Sequence, residues 1–140
     1  MPARINLENI SIVLLGTRFP ENIGAAARAM RNMGIKQLIL VDPQNNDPSK
    51  IGKMATHSAM EVVEQMKVWL TLQEALADFN YVVGTTARLG GQRKVVGSPA
   101  KLAQQLISIS HQNQIAILFG PEDRGLTNAD IRFCDMLVNI

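Results

Sequence analysis

The sequence predicts an α/β protein with a parallel β-sheet flanked by helices. Three observations support this prediction: short runs rich in β-branched residues recur along the chain, helical patterns separate them, and most runs are apolar throughout. A strand covered by helices on both faces is apolar on both sides, as in parallel sheets. The 140 residues suffice for one domain that buries roughly two-thirds of its unfolded surface.

Five apolar runs predict the strands of this sheet. In chain order they span residues 10–15, 37–41, 81–84, 115–119 and 136–140, and 68–70 is a shorter sixth candidate. Two polar or glycine-rich stretches, 42–49 and 87–97, are predicted to be loops.

A first helix is predicted between the first two strands. Asn22 is its candidate N-cap and Gly34 its stop. One face of this helix is apolar at helical spacing, and it consists of Ile23, Ala26, Ala27, Met30 and Met33.

The later helices are predicted by helical patterning and by capping signals. A second helix is expected over 56–66. The three that follow have N-terminal signals: Thr71 with Glu74, Ser98 before Pro99, and Thr127 with Asp130.

The composition indicates a globular protein and excludes several other classes. Hydrophobic residues make up 46% and charged residues 19%, and no apolar run approaches the roughly 20 residues that span a bilayer. The N-terminus lacks the apolar core of a signal peptide. Cys134 is the lone cysteine, and His57 and His111 lack ligand-like neighbours, so neither an internal disulfide nor a zinc site is expected. We therefore expect a cytoplasmic protein without a metal or a membrane partner.

Three segments that follow predicted strand ends define a candidate site. They are residues 16–24 (GTRFPENIG), 85–94 (TTARLGGQRK) and 120–126 (GPEDRGL). Ligands of open α/β sheets bind outside the carboxyl ends of the strands, so we expect these segments to meet at one edge. The sequence contains neither a P-loop nor a G-x-G-x-x-G fingerprint, and its histidines and cysteine suggest no catalytic triad.

Each segment has an ordinary structural interpretation beside the functional one. Arg28 lies opposite the apolar face of its helix, where it is either a solvated side chain or a guanidinium placed to bind phosphate. Gly120 and Glu122 form either a plain turn or a ligand-binding turn. Residues 85–87 either make a tight turn or admit a planar ring. The basic stretch 88–94 is either exposed surface or a phosphate contact. The net charge of +2 permits nucleic-acid binding without indicating it.

Two motifs together resemble a known family. NIGAAARAM and FGPEDRGL are similar to the SPOUT class of RNA methyltransferases, and most closely to its TrmH-type branch of ribose 2′-O-methyltransferases. The first motif of that branch, N-x-G-x-x-x-R, is matched by Asn22, Gly24 and Arg28. The second, F-G-x-E-x-x-G-L, is matched by Phe119, Gly120, Glu122, Gly125 and Leu126. The segments TTAR and GGQRK are most similar to members that methylate the ribose of nucleotide 32 in the tRNA anticodon loop.

The resemblance implies properties that composition and spacing do not reveal. It implies a trefoil-knotted α/β fold, a homodimer with its site at the interface, and a tRNA substrate. It also implies S-adenosylmethionine as the cofactor, in a pocket lined by Thr85, Thr86, Ala87, Gly120 and Ile140.

The resemblance also implies roles for individual side chains. Arg28 would act on the target ribose, as a base or as the group that positions the hydroxyl and its phosphate, while Asn22 and Glu122 would support the site. Because arginine is nearly always protonated, positioning is the expected role. The expected RNA contacts are Arg18, Arg31, Arg88, Arg93 and Lys94.

One family feature is not found in the sequence. The third motif, S-L-N-x-x-x-A, closes the knot and the cofactor pocket, and the resemblance places it at the point where the sequence ends. We therefore expect residues 1–140 to be a C-terminally truncated methyltransferase domain whose knot is incomplete and which binds cofactor weakly and dimerises poorly. Two alternatives remain open: a non-catalytic RNA-binding relative, and an unrelated domain that binds an anion at the first helix.

Overall fold

The structure, a computed structural model, describes residues 4–87 and 95–140. In this part of the chain seven strands form one parallel sheet, in the order β3-β2-β1-β6-β4-β7-β5. The strands are β1 (Ile10–Leu15), β2 (Gln37–Val41), β3 (Lys67–Trp69), β4 (Tyr81–Thr86), β5 (Val95–Val96), β6 (Ile115–Phe119) and β7 (Met136–Asn139).

Helices cover both faces of the sheet, which confirms the predicted fold class. They are α1 (Pro20–Met33), α2 (Pro48–Met54), α3 (Met60–Gln65), α4 (Leu72–Leu76), α5 (Pro99–Ile109) and α6 (Asn128–Ile131), and a 3₁₀ turn at Leu7–Asn9 precedes β1. Helices α1, α2, α3 and α5 contribute to one apolar cluster, while α4 and the segment around α6 contribute to the other. Successive residues of β2 enter opposite clusters, as the apolar runs predicted: Leu38 and Leu40 enter one, Ile39 and Val41 the other.

Most predicted strand bounds are confirmed, and two short elements were missed. The strands at 10–15, 37–41 and 115–119 have the predicted limits, β4 runs two residues further than predicted, and β7 ends one residue earlier. The prediction of loops at 42–49 and 87–97 is wrong where α2 and β5 occur. For α2 the sequence carried a signal, because Asp47 caps the helix and Pro48 occupies its first turn.

The first helix begins earlier than predicted. It starts at Pro20, and the N-cap is Phe19, which makes no side-chain capping bond. The prediction of Asn22 as N-cap is therefore wrong, because proline fixes the first turn and the Asn22 amide bonds to another loop. Gly34 ends the helix as predicted, with a left-handed φ of 88°.

The other helix signals are largely confirmed. Of the predicted apolar face of α1, Met33 is 61% exposed, whereas the rest is buried or partly buried. The helix expected over 56–66 is reduced to α3. The caps predicted for α4, α5 and α6 all accept the expected backbone N–H, and they are Thr71, Ser98 and Thr127.

Candidate active site

The carboxyl ends of β1 and β6 carry two loops that contact each other. Residues 16–19 leave β1 and residues 120–125 leave β6, and the parallel register of the two strands places both loops at one edge of the sheet. Gly16 adopts φ of 63°, and a Cβ built on it would lie 3.0 Å from Pro121 Cγ. The predicted convergence of these two segments is therefore observed.

Glu122 joins the two loops through its carboxylate. The carboxylate accepts the backbone N–H of Arg18 at 3.0 Å, the backbone N–H of Phe19 at 3.1 Å and the side-chain amide of Asn22 at 2.9 Å. These donors surround the first turn of α1, where the helix dipole also favours a negative charge. Glu122 therefore fixes the start of α1, which is the capping function that Asn22 was predicted to perform.

These contacts set the protonation state of Glu122. Partial desolvation alone would raise the pKa of this carboxyl group, but the hydrogen bonds from Arg18, Asn22 and Phe19 outweigh it and lower the pKa below its ordinary value. Glu122 is therefore ionised at neutral pH and acts as an acceptor at this edge, not as a proton donor.

Arg18 also lies at this edge of the sheet. Its guanidinium is 3.2 Å from the Asp123 carboxylate and 5.6 Å from the centre of the Phe19 ring. The side chains of Arg18 and Asp123 are 42% and 48% exposed, so their pairing contributes at most about 1 kcal/mol. Arg18 therefore remains available to an external ligand at small cost.

A cavity of about 610 Å³ lies on one face of the sheet, with α1 and α5 as its walls. Its apolar wall includes Ile12, Leu14, Met30, Leu102 and Leu106. At the edge described above, the cavity is lined by five of the predicted site residues, namely Asn22, Thr85, Gly120, Glu122 and Ile140. The structure thus brings together two predicted catalytic residues and three of the five predicted cofactor residues.

The remaining predicted cofactor residues do not line the cavity. Thr86 lies in β4, where its carbonyl accepts the N–H of Ile140 at 3.0 Å, and Ala87 is exposed beyond the strand. Thr85 reaches the cavity, but its hydroxyl donates to the carbonyl of Leu118 at 3.1 Å. Residues 85 and 86 were predicted to follow β4, and they belong to it instead.

The turn from Gly120 to Gly125 explains both glycines of the second motif. A Cβ at Gly120 would lie 2.3 Å from the carbonyl carbon of Gly125 and 2.5 Å from the nitrogen of Leu126. Gly125 has φ of 67°, and its N–H donates to the carbonyl of Pro121 at 2.8 Å. The turn closes on its own backbone, so Gly120 leaves no room for a side chain and Gly125 supplies the left-handed conformation.

Arg28 is exposed and does not line the cavity of its own chain. The α1 residues that line it are Asn22, Ala26, Ala29, Met30 and Met33. At 100° per residue, Arg28 points roughly 140° away from the centre of that face. Within the described part of the chain, neither Arg28 nor Arg31 forms a salt bridge.

Comparison with known proteins identifies the family. The SpoU rRNA Methylase family matches residues 9–140. The chain belongs to this family. An uncharacterized tRNA/rRNA methyltransferase of Haemophilus influenzae is 39% identical over 96% of this chain and 54% of its own length. The tRNA (cytidine-2′-O-)-methyltransferase TrmJ of Methanocaldococcus jannaschii is 34% identical over 94% of this chain and 57% of its own length.

A solved structure of a relative supports the same assignment. The crystal structure of TrmJ from Z. mobilis ZM4 matches with a TM-score of 0.83 at 36% identity, and it covers 93% of this chain and 57% of that chain. The predicted resemblance to the SPOUT class of RNA methyltransferases is thus confirmed. The chain spans about half the length of the curated relatives that it matches.

For a SpoU family member, the cavity has a size that fits a small-molecule cofactor. Its volume of about 610 Å³ falls within the roughly 300–1,000 Å³ typical of such sites. Predominantly apolar walls with a few polar groups at one end are also typical of them.

Other expectations have different outcomes. Arg88, Arg93 and Lys94 lie outside the described residues. Over residues 4–87 and 95–140 the structure places no three histidine, cysteine, aspartate or glutamate residues together as a metal site. Across the same ranges, every helix is too short or too polar to cross a membrane.

Sequence reasoning placed Thr17 in the candidate segment 16–24 but did not single it out as a site residue. Thr17 is only 4% exposed, it borders the cavity, and its carbonyl accepts the N–H of Gln44 at 2.9 Å. It belongs to no motif of the resemblance. Its position two residues after β1, at the carboxyl edge of the sheet, was the available signal.

Proposed function

We propose that this SpoU family protein methylates the 2′-hydroxyl of a tRNA ribose, with S-adenosylmethionine as the methyl donor. The observation that carries the proposal is the convergence of Asn22, Glu122, Thr85, Gly120 and Ile140 on one cavity at the carboxyl edge of the sheet. The name of the TrmJ relative from Methanocaldococcus jannaschii supports tRNA as the substrate. The resemblance of the TTAR and GGQRK segments favours nucleotide 32 of the anticodon loop.

The residues at the edge of the sheet account for the binding and positioning that the reaction needs. Thr85, Gly120 and Ile140 would hold the cofactor, which supplies an electrophilic methyl group on a sulfonium. Glu122 and Asn22 keep the loop after β1 and the start of α1 in place. Transfer of the methyl group requires in-line attack by the ribose oxygen, so alignment accounts for much of the rate enhancement.

Arg28 supplies a positive charge for positioning. A guanidinium offers five N–H donors and no acceptor, so we expect Arg28 to bind the phosphate and the hydroxyl of the target nucleotide instead of removing a proton. Because Arg28 faces away from the cavity of its own chain, we place it at the cavity of a second copy. The protein is then a homodimer whose site is shared between protomers.

Methyl transfer from labelled cofactor into tRNA tests the function. Wild-type protein should label tRNA, and mass spectrometry of RNase fragments should locate the label at the 2′-oxygen of nucleotide 32. Arg28→Ala should abolish transfer and leave the circular dichroism spectrum unchanged, because Arg28 is exposed and makes no core contact. Full activity of Arg28→Ala would remove this residue from the mechanism, and tRNA binding without transfer by wild type would support the non-catalytic alternative.

Mixing two inactive variants tests the shared site. Arg28→Ala lacks the positioning charge, and Gly120→Ala disrupts the cavity turn. If the site is shared, random reassociation restores about a quarter of wild-type activity, because half of the dimers are mixed and each has one intact site. If Arg28 acts within its own chain, the mixture stays inactive.

A further inference from the structure

We propose that α1 and α2 form one basic surface, comprising Arg28, Arg31, Lys50 and Lys53, that binds the phosphate backbone of the RNA beside the target nucleotide. The sequence motifs point to the two arginines only, and no helix was predicted over residues 48–54. The inference rests on the proposed function, because it adds a contact surface for the same RNA substrate.

The packing of α2 on α1 brings the four cations to one side of the protein. A Cβ on Gly24 would lie 2.2 Å from the carbonyl oxygen of Ile51 and 3.1 Å from the nitrogen of Ala55. The end of α2 therefore lies directly on α1 at Gly24. Arg28 follows Gly24 by one helical turn, a distance of about 6 Å. Lys53 lies in the sequence between Ile51 and Ala55, the two residues that approach Gly24, and it is exposed.

The orientation of each helix leaves its basic side chains in solvent. On α1, Gly24, Arg28 and Arg31 share one face at 100° per residue. On α2, Ile51 is 1% exposed and anchors the helix, while Lys50 and Lys53 are exposed and point roughly 130° away from it. The surface lies near the carboxyl edge of the sheet, because Gly24 is only four residues from the start of α1.

The four cations have little acidic compensation within the described part of the protein: Asp47 attracts Lys50, and Glu21 lies in the first turn of α1. In residues 4–87 and 95–140, none of the four forms a salt bridge. Helix α2 has no acidic residue in its first turn, and its N-cap, Asp47, accepts hydrogen bonds from the backbone and hydroxyl of Ser49. A group of cations without salt-bridge partners attracts a polyanion, and counterions are released when the polyanion binds.

The chemistry of the surface favours phosphates over bases. Neither α1 nor α2 contains an aromatic residue on which a base could stack. Lysines act as point charges toward phosphates and fix the position of a nucleic acid without reading its sequence. The surface is therefore suited to holding the RNA backbone while the nucleotide is selected at the cavity.

The salt dependence of tRNA binding tests this surface. Fluorescence anisotropy with a labelled tRNA transcript gives the binding constant between about 50 and about 200 mM KCl. The double variant Lys50→Ala/Lys53→Ala is compared with Lys36→Ala/Lys67→Ala, which removes two exposed lysines at the opposite, amino edge of the sheet. Lys50→Arg/Lys53→Arg keeps both charges.

The slope of the logarithm of the binding constant against that of the salt concentration separates the outcomes. Loss of both α2 lysines should make this slope shallower by about 1.5, at roughly 0.7–0.9 per phosphate contact. The Lys36/Lys67 control and the arginine variant should keep the wild-type slope. An unchanged slope for Lys50→Ala/Lys53→Ala, or an equal change of slope in the control, would contradict the proposal that this surface binds RNA.

Methyl transfer on the same preparations keeps the two proposals apart. A wild-type protein that binds tRNA with the expected slopes but transfers no methyl group overturns the proposed function and supports the surface. A wild-type protein that transfers methyl groups, while the α2 variant binds with an unaltered slope, overturns the surface alone.

Discussion

The same substitution, glycine to alanine, should have opposite effects at two positions in α1 and α2. Gly24 is the glycine of the first motif and also lies within helix α1. Because it has no Cβ, the backbone of α2 can approach α1 closely at this position. Alanine at a helix interior gains about 1 kcal/mol over glycine through propensity. At Gly24 that gain is opposed by a steric overlap, because the added Cβ would lie 2.2 Å from the carbonyl oxygen of Ile51. The two atoms must separate by about 1.2 Å to reach an ordinary van der Waals contact of 3.4 Å.

The magnitude follows from what has to move. The atoms nearest the added methyl group belong to the backbone of Ile51 and Ala55, so a side-chain rotation cannot relieve the overlap. Overpacking typically costs about 1–3 kcal/mol, and the displacement of a helix lies at the upper end of this range. After the gain of about 1 kcal/mol in helix propensity is subtracted, Gly24→Ala should lower the free energy of unfolding by about 1–2 kcal/mol. At Gly52 a Cβ meets nothing within 4 Å, so Gly52→Ala should gain about 0.5–1 kcal/mol.

Urea denaturation followed by circular dichroism measures both changes, with the m-value as a check that the unfolded surface is unaltered. Gly52→Ala serves as the matched control for helix propensity. A Gly24→Ala protein as stable as Gly52→Ala would refute the close packing of α2 on α1, and with it the geometry of the basic surface.

Two further predictions concern the loop after β6. Hydrogen bonds hold the pKa of Glu122 below its ordinary value in the folded protein. The ionised carboxylate therefore contributes fully to the free energy of unfolding above the ordinary pKa, and this contribution is lost as the pH falls through the lower pKa of the folded state. Glu122→Gln should therefore cost about 1 kcal/mol at neutral pH and little at acid pH, measured by urea denaturation across pH; equal costs at all pH values would contradict this. Gly120→Ala places a Cβ 2.3 Å from the backbone of Gly125 and should abolish the weak calorimetric binding of S-adenosylhomocysteine expected of residues 1–140. Gly97→Ala, with only the end of Lys101 within 4 Å, should preserve that binding.

Much of the fold could be predicted because its signals are local. Runs that are apolar on both faces marked β1, β2 and β6 with the correct limits, and the caps at Thr71, Ser98 and Thr127 act within three residues of themselves. Local signals gave a wrong helix start where two of them competed. Pro20 starts α1 two residues before the favourable cap at Asn22.

The sequence predicted which segments form the candidate site, but not how their side chains are arranged within it. Parallel strand order is enough to bring the segments after β1 and β6 to one edge. Long-range contacts decided the rest: the carboxylate of Glu122 reaches Asn22 across 100 positions of sequence, and the direction of Arg28 depends on the helical phase of α1 relative to the cavity. Periodicity placed Arg28 opposite the apolar face, and that placement agrees with its exposure.

The position of β1 in the sheet has a consequence for biosynthesis. Its neighbours are β2, which follows closely in the chain, and β6, which begins at residue 115. At about 5–20 residues per second, the ribosome needs roughly 5–20 s to deliver β6 after β1 has been made. During that interval a nascent chain presents the unpaired edge of β1, a template for pairing with other chains. Protection of that edge, by a chaperone or by the ribosome surface, is therefore a requirement set by the strand order itself.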